Sequence, residues 1–200
     1  MKFRSNASAL SFQIRAYKLA RACMVTSNLK SVLDIGCGNP QKLRFLLAPF
    51  SEDITGIDLP ENVQYINEEF GEWIGCDIEK SMPEIDKVFD LVIAADIIEH
   101  LHEPKKLVEL IKHVSDDKTL IIMSTPAKES LPEYVRNIDH HSEFTTEEIK
   151  KFLTESGFII EQYLEYAEET SAGKYKDNVF CLRLGDKKNG SNTIRTEKSG

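Results

Sequence analysis

Short apolar runs alternate with stretches of helical spacing along most of this chain. Runs rich in Val, Ile and Leu predict strands near 31–35, 53–57, 72–76, 89–95 and 118–124. The stretches around them predict helices near 8–27, 40–48, 60–69, 104–115 and 145–156. This alternation is typical of βαβ units, so we expect a doubly wound α/β fold with a mostly parallel sheet.

The C-terminal third follows a different pattern. Two last strands are predicted near 158–160 and 179–182, and the polar segment 165–178 between them is predicted to be a long hairpin connection. Residues 126–144 form a long irregular insertion, and such loops in compact domains are usually functional or disordered. Residues 186–200 are rich in Gly, Ser, Asn and Lys and predict a disordered tail.

The helix near 145–156 has the clearest boundary signals. Thr145 or Thr146 can cap its N-terminus, because a threonine hydroxyl can accept a hydrogen bond from a free backbone N–H group. Glu147 and Glu148 follow in the first turn, and Gly157 can end the helix. We therefore expect this helix to start and stop close to the predicted residues.

The composition changes this picture little. Two hundred residues suit one domain with a full-sized core, and no run approaches the ~20 apolar residues of a membrane span. The cysteines show neither CxxC pairing nor metal-like spacing and indicate the reduced thiols of a cytoplasmic protein. They are Cys23, Cys37, Cys76 and Cys181.

The charge is unevenly distributed. Residues 1–30 contain six basic residues and no acid, whereas the other 170 contain 19 basic and 33 acidic residues, or −14. A basic N-terminus can be a mitochondrial transit peptide, but Leu10, Ile14, Tyr17 and Met24 recur at helical spacing. We prefer an amphipathic helix over 1–30. The acidic remainder argues against a broad nucleic-acid surface.

The strand near 31–35 leads into a glycine turn. Gly36 and Gly38 can adopt backbone angles closed to other residues, and Pro40 suits the first turn of a helix. A strand, a glycine turn and a helix N-terminus form a platform for a nucleotide-like ligand. Asp34 lies two residues before the first glycine, where it would repel a phosphate but suit an ammonium group.

Two further acids follow the next two strands. Asp58 lies 20 residues after Gly38, the spacing of an acid that accepts hydrogen bonds from ribose hydroxyls. Asp77 ends the third apolar run, where it could meet the exocyclic amine of an adenine. The implied ligand has an adenine, a ribose and a positive charge, and no phosphate.

With these elements the chain resembles the class I S-adenosylmethionine-dependent methyltransferases. The matching segments are 34–38, 56–59, 76–78 and 89–96, and the resemblance covers roughly residues 30–185. Asn39 and Pro40 stand where that family has its third glycine. A dinucleotide-binding fingerprint fits less well, because its third glycine would fall at Gln41.

The resemblance implies a Rossmann-like seven-stranded sheet with an antiparallel last strand, a methyltransferase domain over 31–185, and S-adenosylmethionine as the cofactor. It also implies cofactor-binding residues at the ends of the first four strands. These are Asp34, Gly36, Cys37, Gly38, Asp58, Leu59, Asp77, Ile78, Ala95 and Asp96.

The reacting centre is expected beyond the fourth strand, because ligands of doubly wound sheets bind beyond the carboxyl ends of the strands. His100 is the candidate general base, since imidazole titrates near neutral pH, and Glu99 could orient it or act alone. In this family the long insertion commonly shapes the acceptor pocket. Its substrate-contact candidates are Tyr134, Arg136, His140 and His141.

A metal site is an alternative that we do not favour. The segment Asp96-x-x-Glu99-His100, together with the later His140, is similar to the segment with which small-RNA 3′-terminal 2′-O-methyltransferases hold Mg²⁺. A similar acid-x-x-Glu-His segment occurs in ubiquinone-pathway O-methyltransferases. The set that would hold Mg²⁺ is Asp96, Glu99, His100 and His140.

The prediction is methyl transfer to a small-molecule acceptor, at a hydroxyl of a sugar, a lipid-linked compound or a secondary metabolite. Metal-assisted methylation of an RNA terminal ribose is the second reading. A non-enzyme that binds S-adenosylmethionine, or serves as a partner subunit, is the third.

Overall fold

The computed structural model describes residues 9–130, 140–170 and 173–185. The strands are β1 (Ser31–Ile35), β2 (Asp53–Asp58), β3 (Glu72–Gly75), β4 (Leu91–Ala95), β5 (Leu120–Pro126), β6 (Phe158–Thr170) and β7 (Gly173–Leu184). The α-helices are α1 (Ala9–Ser27), α2 (Pro60–Val63), α3 (Pro104–His113) and α4 (Thr146–Glu155).

The seven strands form one sheet in the order β3-β2-β1-β4-β5-β7-β6. All neighbouring pairs from β3 to β5 are parallel, and β7 runs antiparallel to both β5 and β6. The order reverses between β1 and β4, which places the carboxyl ends of these strands at the point where doubly wound sheets bind ligands. The predicted Rossmann-like fold with an antiparallel last strand is confirmed.

Both faces of the sheet are covered, because successive side chains of a strand point to opposite faces. Leu33 and Val92 pack on one face with α3 and α4. Val32 and Leu91 pack on the other face with α1, which buries Tyr17 in the same cluster. Helix α1 is therefore part of a core layer, while the domain boundaries at 30 and 185 stay predictions.

Two predicted helices differ from the structure. The region 40–48 is helical, but it widens into a π-helical turn at Leu43–Leu47. It then tightens into a 3₁₀ turn at Ala48–Phe50, where Pro49 has no N–H group to continue the ladder. The helix predicted over 60–69 was wrong beyond Val63. There the chain continues in turns, with Ile66 N–H donating to the Val63 carbonyl at 2.9 Å.

The C-terminal prediction needs the largest correction. Residues 165–178 are strands β6 and β7 over most of their length and do not form a long connection. Their pairing continues to Thr170 opposite Gly173, well past Pro126, where β5 stops pairing with β7. The β6–β7 hairpin thus extends beyond the end of β5. The predicted tail at 186–200 lies outside the described residues.

Helix α4 has the predicted boundaries. The Thr145 hydroxyl accepts from the Glu148 N–H, and the Glu148 side chain accepts from the Thr145 N–H, which completes a capping box. Gly157 follows the helix with a φ of 84°. Within the described parts of the chain, none of the helices has the length and apolarity needed to cross a bilayer.

Candidate functional site

The glycine turn joins the ends of β1 and β2. The N–H groups of Gly36 and Cys37 both donate to the Ile57 carbonyl, at 2.8 and 3.0 Å. Gly36 and Gly38 have φ values of 78° and 52°, so both use the left-handed region that glycine favours. A Cβ atom on Gly36 would lie 2.7 Å from Ile97 Cδ1, which means that the turn also packs against the segment after β4.

Cys37 has a side chain that belongs to the core. It is 2% exposed, and its sulfur would lie 2.9 Å from a Cβ atom placed on Gly56. Burial raises the pKa of its thiol, so the thiol stays protonated. If Cys37 contacts the cofactor, it would therefore do so through its backbone atoms and not through its thiol.

Asp58 stands at the end of β2 with its carboxylate already bonded. One oxygen accepts from the Gly38 N–H at 2.7 Å. The other accepts from the Leu59 N–H at 2.7 Å and from Asn62 Nδ2 at 2.6 Å. These three donors fix the carboxylate at the edge of the glycine turn, where the sequence predicts a ribose.

Asp77 follows β3 and is partly exposed. Lys80 Nζ lies 2.7 Å from its Oδ2, and the Glu79 N–H donates to Oδ1 at 3.1 Å. The hydrogen bond from Lys80 is the main cause that lowers the pKa of Asp77. Ile78 is buried in the core beside it. Asp77 is thus an ionised carboxylate at the strand end where an adenine is predicted.

Asp34 is the most enclosed acid of the predicted set. Its carboxylate is fully buried, and Tyr17 Oη donates to its Oδ2 at 2.6 Å. Its Oδ1 has no hydrogen-bond partner among the described residues. Burial raises its pKa to about 6, against an opposing effect of the Tyr17 hydrogen bond. A buried acid with one unbonded oxygen suits a cationic ligand group.

Ala95 and Asp96 end β4 beside the glycine turn. The Ala95 carbonyl accepts from Gln13 Nε2 of α1 at 3.2 Å. Asp96 has a φ of 50°, and its Oδ1 accepts from Ser124 Oγ at 2.6 Å. Burial raises the pKa of Asp96. Helix α1 and the end of β5 therefore both contact this strand end.

Glu99 and His100, in the turn after β4, form a cluster with His140, which precedes α4. One ligand-type atom from each lies within 4.8 Å of the others, and the rings of His100 and His140 meet edge to face at 4.9 Å between centroids. Glu99 is 2% exposed and accepts from Thr125 Oγ1 at 3.0 Å. Burial, followed by the charge of Asp96, raises the pKa of Glu99 well above its usual range.

The segment around His140 is fixed to this turn by backbone bonds. The N–H groups of His141 and Ser142 both donate to the Glu99 carbonyl, at 2.8 and 3.0 Å. His141 itself is exposed and stacks on His102, at 3.7 Å between ring centroids. The structure therefore brings His140 to the cluster, and His141 does not belong to it. Tyr134 and Arg136 lie outside the described residues.

Sequence reasoning missed three residues that face this site. Gln13 and Tyr17 reach it from α1, and Tyr17 was noted only as part of an apolar stripe. Lys42 reaches it from the helical turn after the glycines, and its Nζ donates to Gln13 Oε1. Its position four residues after Gly38 was the available signal, because the first turn of that helix faces the ligand platform.

A family model described as "Methyltransferase domain" matches residues 11–163, which is more than half of the chain. The chain belongs to this methyltransferase family. The match confirms the predicted class I S-adenosylmethionine-dependent methyltransferase and its cofactor. A search of the curated proteins found no match to this methyltransferase.

Solved structures share the fold of this methyltransferase at low identity. N-methyltransferase NodS from Bradyrhizobium japonicum WM9 is 15% identical, with a TM-score of 0.65 over 86% of this chain and 95% of that one. The [4+2]-cyclase SpnF is 17% identical, with a TM-score of 0.68 over 92% of this chain and 86% of that one. The methyltransferase domain of bacterial CtHen1-CN is 20% identical, with 0.60 over 84% and 97%.

Proposed function

We propose that this methyltransferase transfers the methyl group of S-adenosylmethionine to a hydroxyl of a small-molecule acceptor, with His100 as the general base. The observation that carries the proposal is the cluster of Glu99, His100 and His140 directly after β4, beside the turn of Gly36. A base beside the strand end where the methyl donor is predicted is the arrangement that hydroxyl methylation needs.

The residues at the strand ends fit the chemistry of the donor. The unbonded Oδ1 of buried Asp34 suits the ammonium group of its methionine end. The fixed carboxylate of Asp58 suits the ribose hydroxyls, and Asp77 suits the adenine amine. S-adenosylmethionine supplies a methyl group that its sulfonium already activates, so the protein contributes positioning and proton removal.

Within the cluster, the two acid–base groups have different tasks. Burial and the charge of Asp96 raise the pKa of Glu99, which favours its protonated, hydrogen-bond-donating form, so we assign the role of the base to His100 and not to Glu99. The His100 imidazole takes the proton from the acceptor hydroxyl. His140 packs against His100, and its Nδ1 lies 3.7 Å from Glu143 Oε1, which supports the ring orientation.

An acceptor screen tests this proposal. Purified full-length protein is incubated with methyl-labelled S-adenosylmethionine and pools of sugars, lipid-linked precursors and phenolic or polyketide alcohols, with a chelator present. We expect label in a hydroxyl-bearing small molecule, and its replacement by the deoxy compound should abolish the signal. Transfer to an amine or a carbon acceptor, with none to hydroxyls, would contradict the proposal.

A second candidate function is metal-assisted methylation of a terminal RNA ribose. The same cluster supports it, because a carboxylate and two imidazoles within 4.8 Å of one another can hold a divalent ion. Asp96, the fourth residue of the predicted metal set, is not part of that cluster, and its Oδ1 accepts from Ser124. The RNA reading also has to explain an acidic chain with a net charge of −8.

A matched pair of RNA substrates separates the two candidates. A short RNA with a free 2′-hydroxyl on its last nucleotide is compared with the same RNA that ends in a 2′-deoxynucleotide, in a chelator and again after Mn²⁺ or Mg²⁺ is added. Methylation of only the first RNA, and only with metal, would establish the second candidate. A metal-independent small-molecule product would establish the first.

A cytoplasmic location remains a prediction from composition. A role as a partner subunit without turnover has less support, because the residues predicted to bind the cofactor and the candidate base are all present in this chain.

A further inference from the structure

Lys42 is a cation that the turn after Gly38 directs toward helix α1. Its Nζ donates to Gln13 Oε1 and lies 4.9 Å from the centre of the Tyr17 ring. Burial lowers the pKa of Lys42, and the charges of Asp34 and Asp96 oppose this effect. The side chain is therefore held inside the site, although a lysine in a first helical turn is usually at the surface.

The partners of Lys42 connect it to both acids. Tyr17, whose ring lies under the ammonium group, donates its hydroxyl to Asp34 Oδ2 at 2.6 Å. Gln13, which accepts from Lys42, donates to the carbonyl of Ala95, the residue before Asp96. Lys42 thus lies between a carboxylate near the end of β1 and another just after β4.

This charge pattern is complementary to a zwitterion. An amino-acid group presents one carboxylate and one ammonium, which match one lysine and a flanking aspartate. An adenosine end alone has neither charge and would gain nothing from a partly buried lysine. Asp58 and Asp77, which are predicted to meet the ribose and the adenine, lie on the other side of the glycine turn at the ends of β2 and β3.

We propose that Lys42 binds the α-carboxylate of the methionine end of S-adenosylmethionine, while Asp34 binds its ammonium group. This inference rests on the proposed use of S-adenosylmethionine at this site. Lys42 then gives the enzyme its preference for donors and products that keep the amino-acid carboxylate. Gln13 and Tyr17 of α1 hold the lysine in place before the ligand arrives.

The test is a set of calorimetric titrations of the full chain with two ligands. S-adenosylhomocysteine keeps the α-carboxylate, and decarboxylated S-adenosylmethionine lacks it. For Lys42→Met we expect a loss of about 10- to 100-fold in affinity for the first ligand, the range of a charge-assisted hydrogen bond. Affinity for decarboxylated S-adenosylmethionine should change by less than about threefold. Lys42→Arg should restore part of the affinity for S-adenosylhomocysteine.

Two further variants separate carboxylate binding from a structural tether. Gln13→Leu removes the acceptor of Lys42 and keeps the cation, and Lys106→Met is a matched change at a surface lysine that pairs with Glu109. If Lys42 only tethers α1, Lys42→Met and Gln13→Leu should weaken both ligands equally. That result, or unchanged binding of S-adenosylhomocysteine by Lys42→Met, would overturn the inference. A wild-type protein that binds neither ligand would instead refute the proposed function.

Discussion

Two groups of acids surround the glycine turn, and they are built differently. Asp58 and Asp77 follow β2 and β3, are partly exposed, and have carboxylates that accept from backbone N–H groups and nearby side chains. Asp34 and Glu99 lie in β1 and after β4, are fully buried, and have raised pKa values. Desolvation by burial is the largest cause of the raised pKa values of Asp34 and Glu99.

The difference matches the parts of the ligand that each group would meet. A ribose and an adenine amine are neutral donors, so they need acceptors held in fixed positions, and exposure costs little. A cationic group and a reacting hydroxyl gain more from buried partners, because electrostatic interactions are stronger where water is excluded. The buried acids should therefore dominate the response to charge and pH, and the exposed acids the response to loss of hydrogen bonds.

The largest expected effect is at the buried acceptor side. His100→Ala should lower turnover by about 10²–10⁴, which is typical for the loss of a positioned base. Affinity for S-adenosylmethionine should stay within a few-fold, because His100 follows β4, and β1 lies between that strand and β2, which ends at Asp58. Single-turnover rates and calorimetry on the same protein sample measure the two effects. Normal turnover on an identified acceptor would remove His100 from the mechanism.

On the exposed side, Asp58→Ala should weaken S-adenosylmethionine binding about tenfold or more, since charge-assisted hydrogen bonds contribute roughly 1.5–3 kcal/mol. The change also leaves the N–H groups of Gly38 and Leu59 without their acceptor. We therefore expect a lower melting temperature as well. Asp58→Asn keeps one acceptor oxygen and should lose less of both. Equal binding by wild type and Asp58→Ala would contradict the ribose assignment.

Asp34→Asn should separate stability from binding. With a folded-state pKa of about 6, raised from 3.8, Asp34 holds its proton more tightly when folded, so ionisation destabilises the fold as pH rises from about 4 to 6. The variant should be more stable than wild type by roughly 1–3 kcal/mol above this window and about equal below it. Urea melts at pH 4 and pH 7.5 measure the difference.

The same substitution should weaken binding of the cationic cofactor. Wild-type affinity should rise with pH through about 6 as Asp34 ionises, and the Asn variant should lose this pH dependence. A variant that is less stable at pH 7.5 than wild type would show that the Tyr17 hydrogen bond outweighs desolvation at this acid.

The fold was more accessible to sequence reasoning than the site. The central strands and the α4 cap follow from local patterns, because apolar runs and a capping box are written within a few residues. The extension of β6 and β7 was missed because charged residues such as Glu165 and Lys176 resemble a loop, although they pair across the hairpin at 3.0 Å. Lys42 was missed because only the tertiary packing of α1 brings Gln13 and Tyr17 against it.

The last comparison is between the two glycines that join these groups of acids, and its effects are on stability. Gly36→Ala places a Cβ atom on a residue in the strained left-handed conformation, and this atom would lie 2.7 Å from Ile97 Cδ1 in the segment after β4. Gly38→Ala has the same kind of backbone, but nothing lies within 4 Å of its Cβ position, and its N–H still reaches Asp58. We expect a loss of roughly 1–2 kcal/mol from backbone strain in each, and a further loss in Gly36→Ala. Ile97→Val removes the Cδ1 atom but leaves Cβ and Cγ1 at 3.2 and 3.3 Å, so combined with Gly36→Ala it should recover part of that further loss in chemical denaturation. An equal loss in both single variants would show that the turn does not depend on its packing against the segment after β4.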